Sequence, residues 1–124
     1  MENTEESGFR FQNLVIWQRA ADLAIALDEV SDQLDERRKY RFAEQLRAAG
    51  LSISNNIAEG SGSNTTPEFR RFLFIARKSA FECASMLMNF KRRTYVAELC
   101  ADQLLSELEI LCKMIVSFSR KLKD

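Results

Sequence analysis

Histidine is absent from this chain of 124 residues, and proline and glycine are scarce, at one and four copies. Without imidazole the sequence lacks the usual general base, the commonest metal ligand and the Glu-x-x-His pairs of di-iron helical bundles. So few Pro and Gly, with apolar residues recurring at helical spacing nearly throughout, argue against strands and long irregular loops. Only three cysteines occur, Cys83, Cys100 and Cys112, and 16 and then 11 residues separate them. That number and spacing fit neither a disulfide framework nor the paired ligands of a zinc site, so they read as reduced core thiols. No run approaches the roughly 18 uninterrupted apolar residues of a membrane span. The opening Met1-Glu-Asn-Thr-Glu-Glu6 is acidic where a secretory signal is basic and then apolar, so a cytoplasmic protein without a membrane partner is expected.

What is present is helical patterning. Ile16, Ala20, Leu23, Leu27, Val30 and Leu34 step by fours and threes, with Asn13 placed to cap the run. Phe42, Leu46, Ala49, Ile53 and Ile57 form a second stripe, and Gly60 falls where a left-handed cap would end it near Glu59. The third and longest runs through Phe69, Leu73, Ala76, Ala80, Cys83, Leu87 and Phe90; Thr66 before Pro67, or Thr65 with Glu68, would start it. The fourth carries Leu104 or Leu105, then Leu108, Leu111, Ile115, Phe118 and Leu122. The expected fold is all-α, an antiparallel up-down-up-down four-helix bundle with helices over about residues 13–34, 40–59, 67–93 and 98–121. Residues 1–8 form a flexible acidic segment in this reading, and 9–124 a single domain.

Catalytic constellations are missing. The turn Gly60 to Thr66 lacks the Lys and preceding strand of a phosphate loop, Asp28 and Glu29 point different ways around their helix, and no catalytic, cofactor-binding or metal-binding residue stands out. A non-enzyme without cofactor is expected.

Two surfaces draw attention instead. Residues 1–36 hold two basic and nine acidic side chains, net −7, whereas residues 37–93 hold twelve and four, net +8. An up-and-down bundle brings Arg37, Arg38, Lys39 and Arg41 to the same end as Lys91, Arg92 and Arg93, a candidate surface for RNA or DNA phosphates. Asp32, Asp35 and Glu36 lie nearby in sequence and favour a merely solvated end. The third helix also bears Phe72, Phe74, Ile75, Phe81, Met86 and Met88 off its main stripe, more than one core covers. Phe74, Phe81 and Met88 recur every seven residues, the spacing of a seam against another subunit. Glu59, a carboxylate in the last turn of its helix, needs a tertiary partner, with Arg47, Arg70 and Arg71 as candidates. Ser52, Ser54, Asn55 and Asn56 are expected to satisfy neighbouring polar groups, and Trp17 to anchor a core or interface.

Leu14, Trp17, Gln18 and Ala20, then Gln45-Leu-Arg-Ala48, then Ser52, Ile53, Asn56-Ile-Ala-Glu-Gly60 and Gly62, then Glu68, Phe69, Phe72, Leu73, Ala76, Ser79 and Glu82, stand in an order that resembles the small four-helix bundle proteins encoded in intervening sequences of large-subunit ribosomal RNA genes. The accessory variability determinant of diversity-generating retroelements is similar to the same family. The resemblance runs from Phe9 to about Leu122, with Trp17, Asn56, Glu59, Gly60, Gly62, Glu68 and Phe69 as its signature. It implies a four-helix bundle, assembly into five-membered rings and, for most members, no assigned activity; the expected role is that of a non-enzymatic homo-oligomeric scaffold or adaptor, a pentamer by that likeness, with RNA, DNA or another protein as candidate partners. The retroelement relatives imply contact with nucleic acid, but they are strongly basic and this chain has a pI near 6.4. Ser63 replaces a common Arg after the glycine turn, and Lys78 replaces a common Gly before Ser79, putting a bulky cation at an expected close helix contact.

Overall fold

The computed structural model describes residues 8–123. Of the acidic segment expected over residues 1–8, all but Gly8 lies outside the described residues. A 3-10 turn, Arg10–Asn13, leads into α1 (Val15–Glu36), α2 (Tyr40–Ser61), α3 (Thr66–Arg92) and α4 (Glu98–Lys121). Each helix packs on the next, and α4 packs back on α1, the cyclic order of an up-and-down bundle.

The core follows the periodic stripes. All six stripe residues of α1 are buried, and Leu46, Ala49, Ile53 and Ile57 of α2 face them, with Leu73, Ala76, Ala80, Cys83, Leu87 and Phe90 from α3. Leu104, Leu108, Leu111 and Ile115 of α4 complete the interior, while Leu105, Phe118 and Leu122 are half-buried against it. Aromatic rings close both ends of the bundle. Phe42, Phe90 and Tyr95 cluster at one, and Phe69 meets Phe118 edge-on at 5.7 Å at the other.

The helix ends differ from expectation. Asn13 does not cap α1: it belongs to the 3-10 turn, Leu14 holds the cap position without a side-chain bond, and Gln18 reaches back to donate to the Gln12 carbonyl at 2.7 Å. Gly60 is no left-handed cap either. It stays helical and buried, α2 runs on to Ser61, and no glycine among the described residues has positive φ. A Cβ at Gly60 would lie 2.8 Å from both Phe69 Cδ1 and Phe72 Cβ, so its missing side chain lets the start of α3 press against α2. Among the described residues the left-handed ones are Arg38 (φ 63°) and Thr94 (φ 57°). After α1, Lys39 N–H donates to the Leu34 carbonyl and Arg38 N–H to that of Asp35. After α3, Tyr95 N–H donates to Phe90 and Thr94 N–H to Lys91. These are two Schellman caps at the same end of the bundle, and at the second the Tyr95 ring packs back on Phe90, the apolar contact that accompanies such caps. Thr65, of the two threonines proposed, caps α3 by accepting from Glu68 N–H.

Candidate functional site

The signature segment builds the α2–α3 contact. Ser52 and Ser79 share a hydrogen bond at 3.0 Å across the helices, and Asn56 donates to both the Ser52 hydroxyl and its carbonyl. Ser54 is buried and bonds the Leu51 carbonyl, whereas Asn55 is exposed. Glu59 takes none of the partners proposed for it and is exposed. Arg47 instead grips Asp28, Asp32 and Asp35 at 2.7, 2.5 and 2.8 Å. The hydrogen bonds it donates to those carboxylates, that to Asp35 foremost, hold its guanidinium above the usual range. Arg71 pairs with Glu68 on its own helix and lowers that carboxyl. Arg70 donates to the Ser119 and Leu122 carbonyls at the end of α4. Gly62 is exposed and holds the C-cap position of α2, and Ser63 N–H bonds the Gly60 carbonyl. Lys78 is exposed, so the close helix contact expected there does not form within the chain. Trp17 is half-buried and packs on Phe11 at 5.2 Å, under the N-terminal arm.

At one end the α1–α2 and α3–α4 turns meet, because Arg37 Nη1 donates to the Thr94 carbonyl at 2.7 Å. Arg37 and Lys39 both lie over the Tyr95 ring, at 5.4 and 4.6 Å from its centre. Sequence reasoning passed over Tyr95, and no sequence signal marks it, since its role as the packing residue of the cap follows from the left-handed Thr94 before it. Of Arg37, Arg38, Lys39, Arg41, Lys91, Arg92 and Arg93, only Lys91 meets a carboxylate among the described residues, Asp102 at 2.6 Å with Glu98 at 3.9 Å. Its hydrogen bond to Asp102 raises its pKa. Two of the three acids that argued for a neutralised end, Asp32 and Asp35, are engaged by Arg47 instead.

The off-stripe residues of α3 divide. Phe72, Ile75 and Met86 are half-buried within the chain, while Phe74, Phe81 and Met88 remain 49%, 55% and 53% exposed. Phe81 and Met88 border a groove of about 1130 Å³ between α3 and α4. Arg77, which sequence reasoning did not single out, lies in its wall with the guanidinium 4.7 Å over the Phe81 ring and Nε buried without an acceptor among the described residues. Cys112 also lines the groove; burial raises its thiol pKa and the nearby Arg77 opposes that. Cys83 is fully enclosed, and burial, with Glu82 and Cys112 adding to it, pushes its thiol up to about 12. Among the described residues no cluster is arranged to hold a metal, and no helix is long and apolar enough to cross a membrane.

The model of a family described as 23S rRNA-intervening sequence protein matches residues 12–117. A solved structure, a protein of unknown function from the S23 ribosomal protein family of Bacteroides thetaiotaomicron VPI-5482, superposes with a TM-score of 0.82. It shares 21% identity and covers 86% of this chain and all of its own, a likeness that shows the fold. No curated protein matches the sequence.

Proposed function

This chain belongs to the 23S rRNA-intervening sequence protein family, and on that premise we propose that it is a self-associating, non-catalytic helical scaffold or adaptor. The carrying observation is the exposed row Phe74, Phe81 and Met88 along α3, about half open to solvent in a single chain. Three large apolar side chains a heptad apart on one flank of a helix suit a seam against another subunit, which would bury them. Light scattering on the purified protein at micromolar concentration tests the reading. A mass of several chains is expected, five by family likeness, and Phe81→Asp with Met88→Asp should shift it toward one chain with helicity retained. A monomeric mass for the unsubstituted protein would overturn it.

A second reading has its own support. Six of the seven basic residues at the turn-bearing end have no carboxylate partner among the described residues, and Arg37 and Lys39 are held together on Tyr95. Such an array suits the phosphates of RNA or DNA, with the cytoplasm as the compartment that supplies them. The two readings are compatible, because the α3 strip and the basic end are different parts of the bundle.

A further inference from the structure

The α3–α4 groove has a specific shape of need. Its floor is apolar, with Ala80, Ala84, Leu105 and Leu108, and its walls carry Arg77, Lys113, Arg120 and Lys121 against only Asp102 and Glu109. Arg77 lines the groove with its guanidinium over the Phe81 ring, and among the described residues neither its Nε finds an acceptor nor its charge a carboxylate, so an occupant that supplies a carboxylate to the guanidinium would complete it. A fitting occupant therefore carries one apolar knob flanked by carboxylates.

The chain has such a surface on its own α1. Ile25 is 62% exposed on the outward face, with Asp22 three residues before it and Glu29 four after, all on one side of the helix. Neither carboxylate has an ion-pair partner among the described residues. The other exposed apolar residues fit less well. Val15 and Leu51 have no carboxylate one turn away, Phe74 has Arg70, Arg71, Arg77 and Lys78 there, Tyr40 has Glu36 and Glu44 but stands among Arg37, Arg38, Lys39 and Arg41, Phe9 precedes the helices, and Leu99 and Ile110 belong to α4 itself. Residues 1–36 carry the strongest negative charge of the sequence, and the groove walls are net positive.

We propose that the outward face of α1 of a second copy seats in the α3–α4 groove, with Ile25 on its apolar floor and Asp22 or Glu29 accepting from Arg77. This rests on the self-association reading and names the two surfaces that meet. Because they are different faces of the chain, the contact runs head to tail, and successive copies close as a ring when the rotation between them divides the circle.

Cross-linking through the native Cys112 tests it. In a chain carrying Ile25→Cys, a short bismaleimide is expected to yield a ladder of covalent dimers and higher species, lost when Cys112→Ser is added. Charge reversal provides a second test: Asp22→Lys with Glu29→Lys, or Arg77→Glu, weakens association by at least about tenfold, and the three changes together restore it. Circular dichroism confirms that each variant is folded, and rescue by the triple variant excludes simple misfolding. An unsubstituted protein that is monomeric overturns this proposal together with the self-association reading. An oligomer that gives no Cys112-dependent ladder and ignores the charge reversals overturns this proposal alone.

Discussion

Replacing Gly60 by alanine would put a methyl carbon where two phenylalanines already sit, 2.8 Å from Phe69 Cδ1 and Phe72 Cβ. Phe72 Cβ is fixed to its own backbone and cannot swing aside, so α2 and α3 must separate. The expected loss is about 1–3 kcal/mol, outweighing the roughly 1 kcal/mol that alanine gains over glycine in a helix. Gly62→Ala is the control, since the nearest atom there is 3.6 Å away and φ is −90°; its urea midpoint should match or slightly exceed that of the parent. Nothing local distinguishes the two glycines, which is why the spacing of apolar residues pointed to a turn at Gly60 when its role is contact between helices. Cys83 gives a pH prediction. Its thiol is pushed up to about 12 in the fold from an ordinary value near 9, so the folded state holds its proton more tightly than the unfolded chain. Its contribution is therefore complete below about pH 9 and declines as pH rises toward 12, by at most about 1.4 kcal/mol per unit. Stability measured across that window should fall more steeply in the parent than in Cys83→Ala, and at neutral pH Cys83 should react with thiol reagents only on unfolding.

The helices themselves were legible at the level of faces. Every residue of the α1 stripe is buried as its four-and-three spacing requires, and the start of α3 follows from Thr65, Pro67 and Glu68. The ends were less legible, because a non-glycine residue in the left-handed region has no compositional signal. Arg38 and Thr94 adopt that conformation because two caps dock side by side, with Arg37 bridging to the Thr94 carbonyl. For a β-branched residue it is strained, so Thr94→Gly should raise stability by about 1 kcal/mol, read as a higher urea midpoint at unchanged slope and fixed protein concentration. A fall instead would mean that the Thr94 side chain contributes more than its backbone costs. Glu59 illustrates the same limit from the electrostatic side. A carboxylate at a helix end suggests a partner, but the three arginines offered are committed elsewhere: Arg71 to Glu68 three residues before it, and Arg47 and Arg70 across helices, by packing that spacing alone does not reveal.

At the scale of the molecule, a neutral total charge conceals an end rich in uncompensated cations. If that end contacts RNA, affinity should fall on a log–log plot against salt by about 0.7–0.9 per phosphate neutralised. Arg37→Ser, Arg38→Ser, Arg92→Ser and Arg93→Ser together should flatten that slope and abolish binding at moderate salt, as a filter or anisotropy titration would show. An unchanged slope in the variant would exclude the basic end. A different property follows from how α4 is fastened. Near its start, Asp102 and Glu98 meet Lys91 of α3; at its other end Arg70 takes the Ser119 and Leu122 carbonyls, and Thr66 donates to that of Lys123. Between these clasps runs the groove. With both ends of α4 tied to α3, fraying from its tips is opposed, and native-state hydrogen exchange should show its terminal-turn amides more protected than those of a helix end that carries no such clasp.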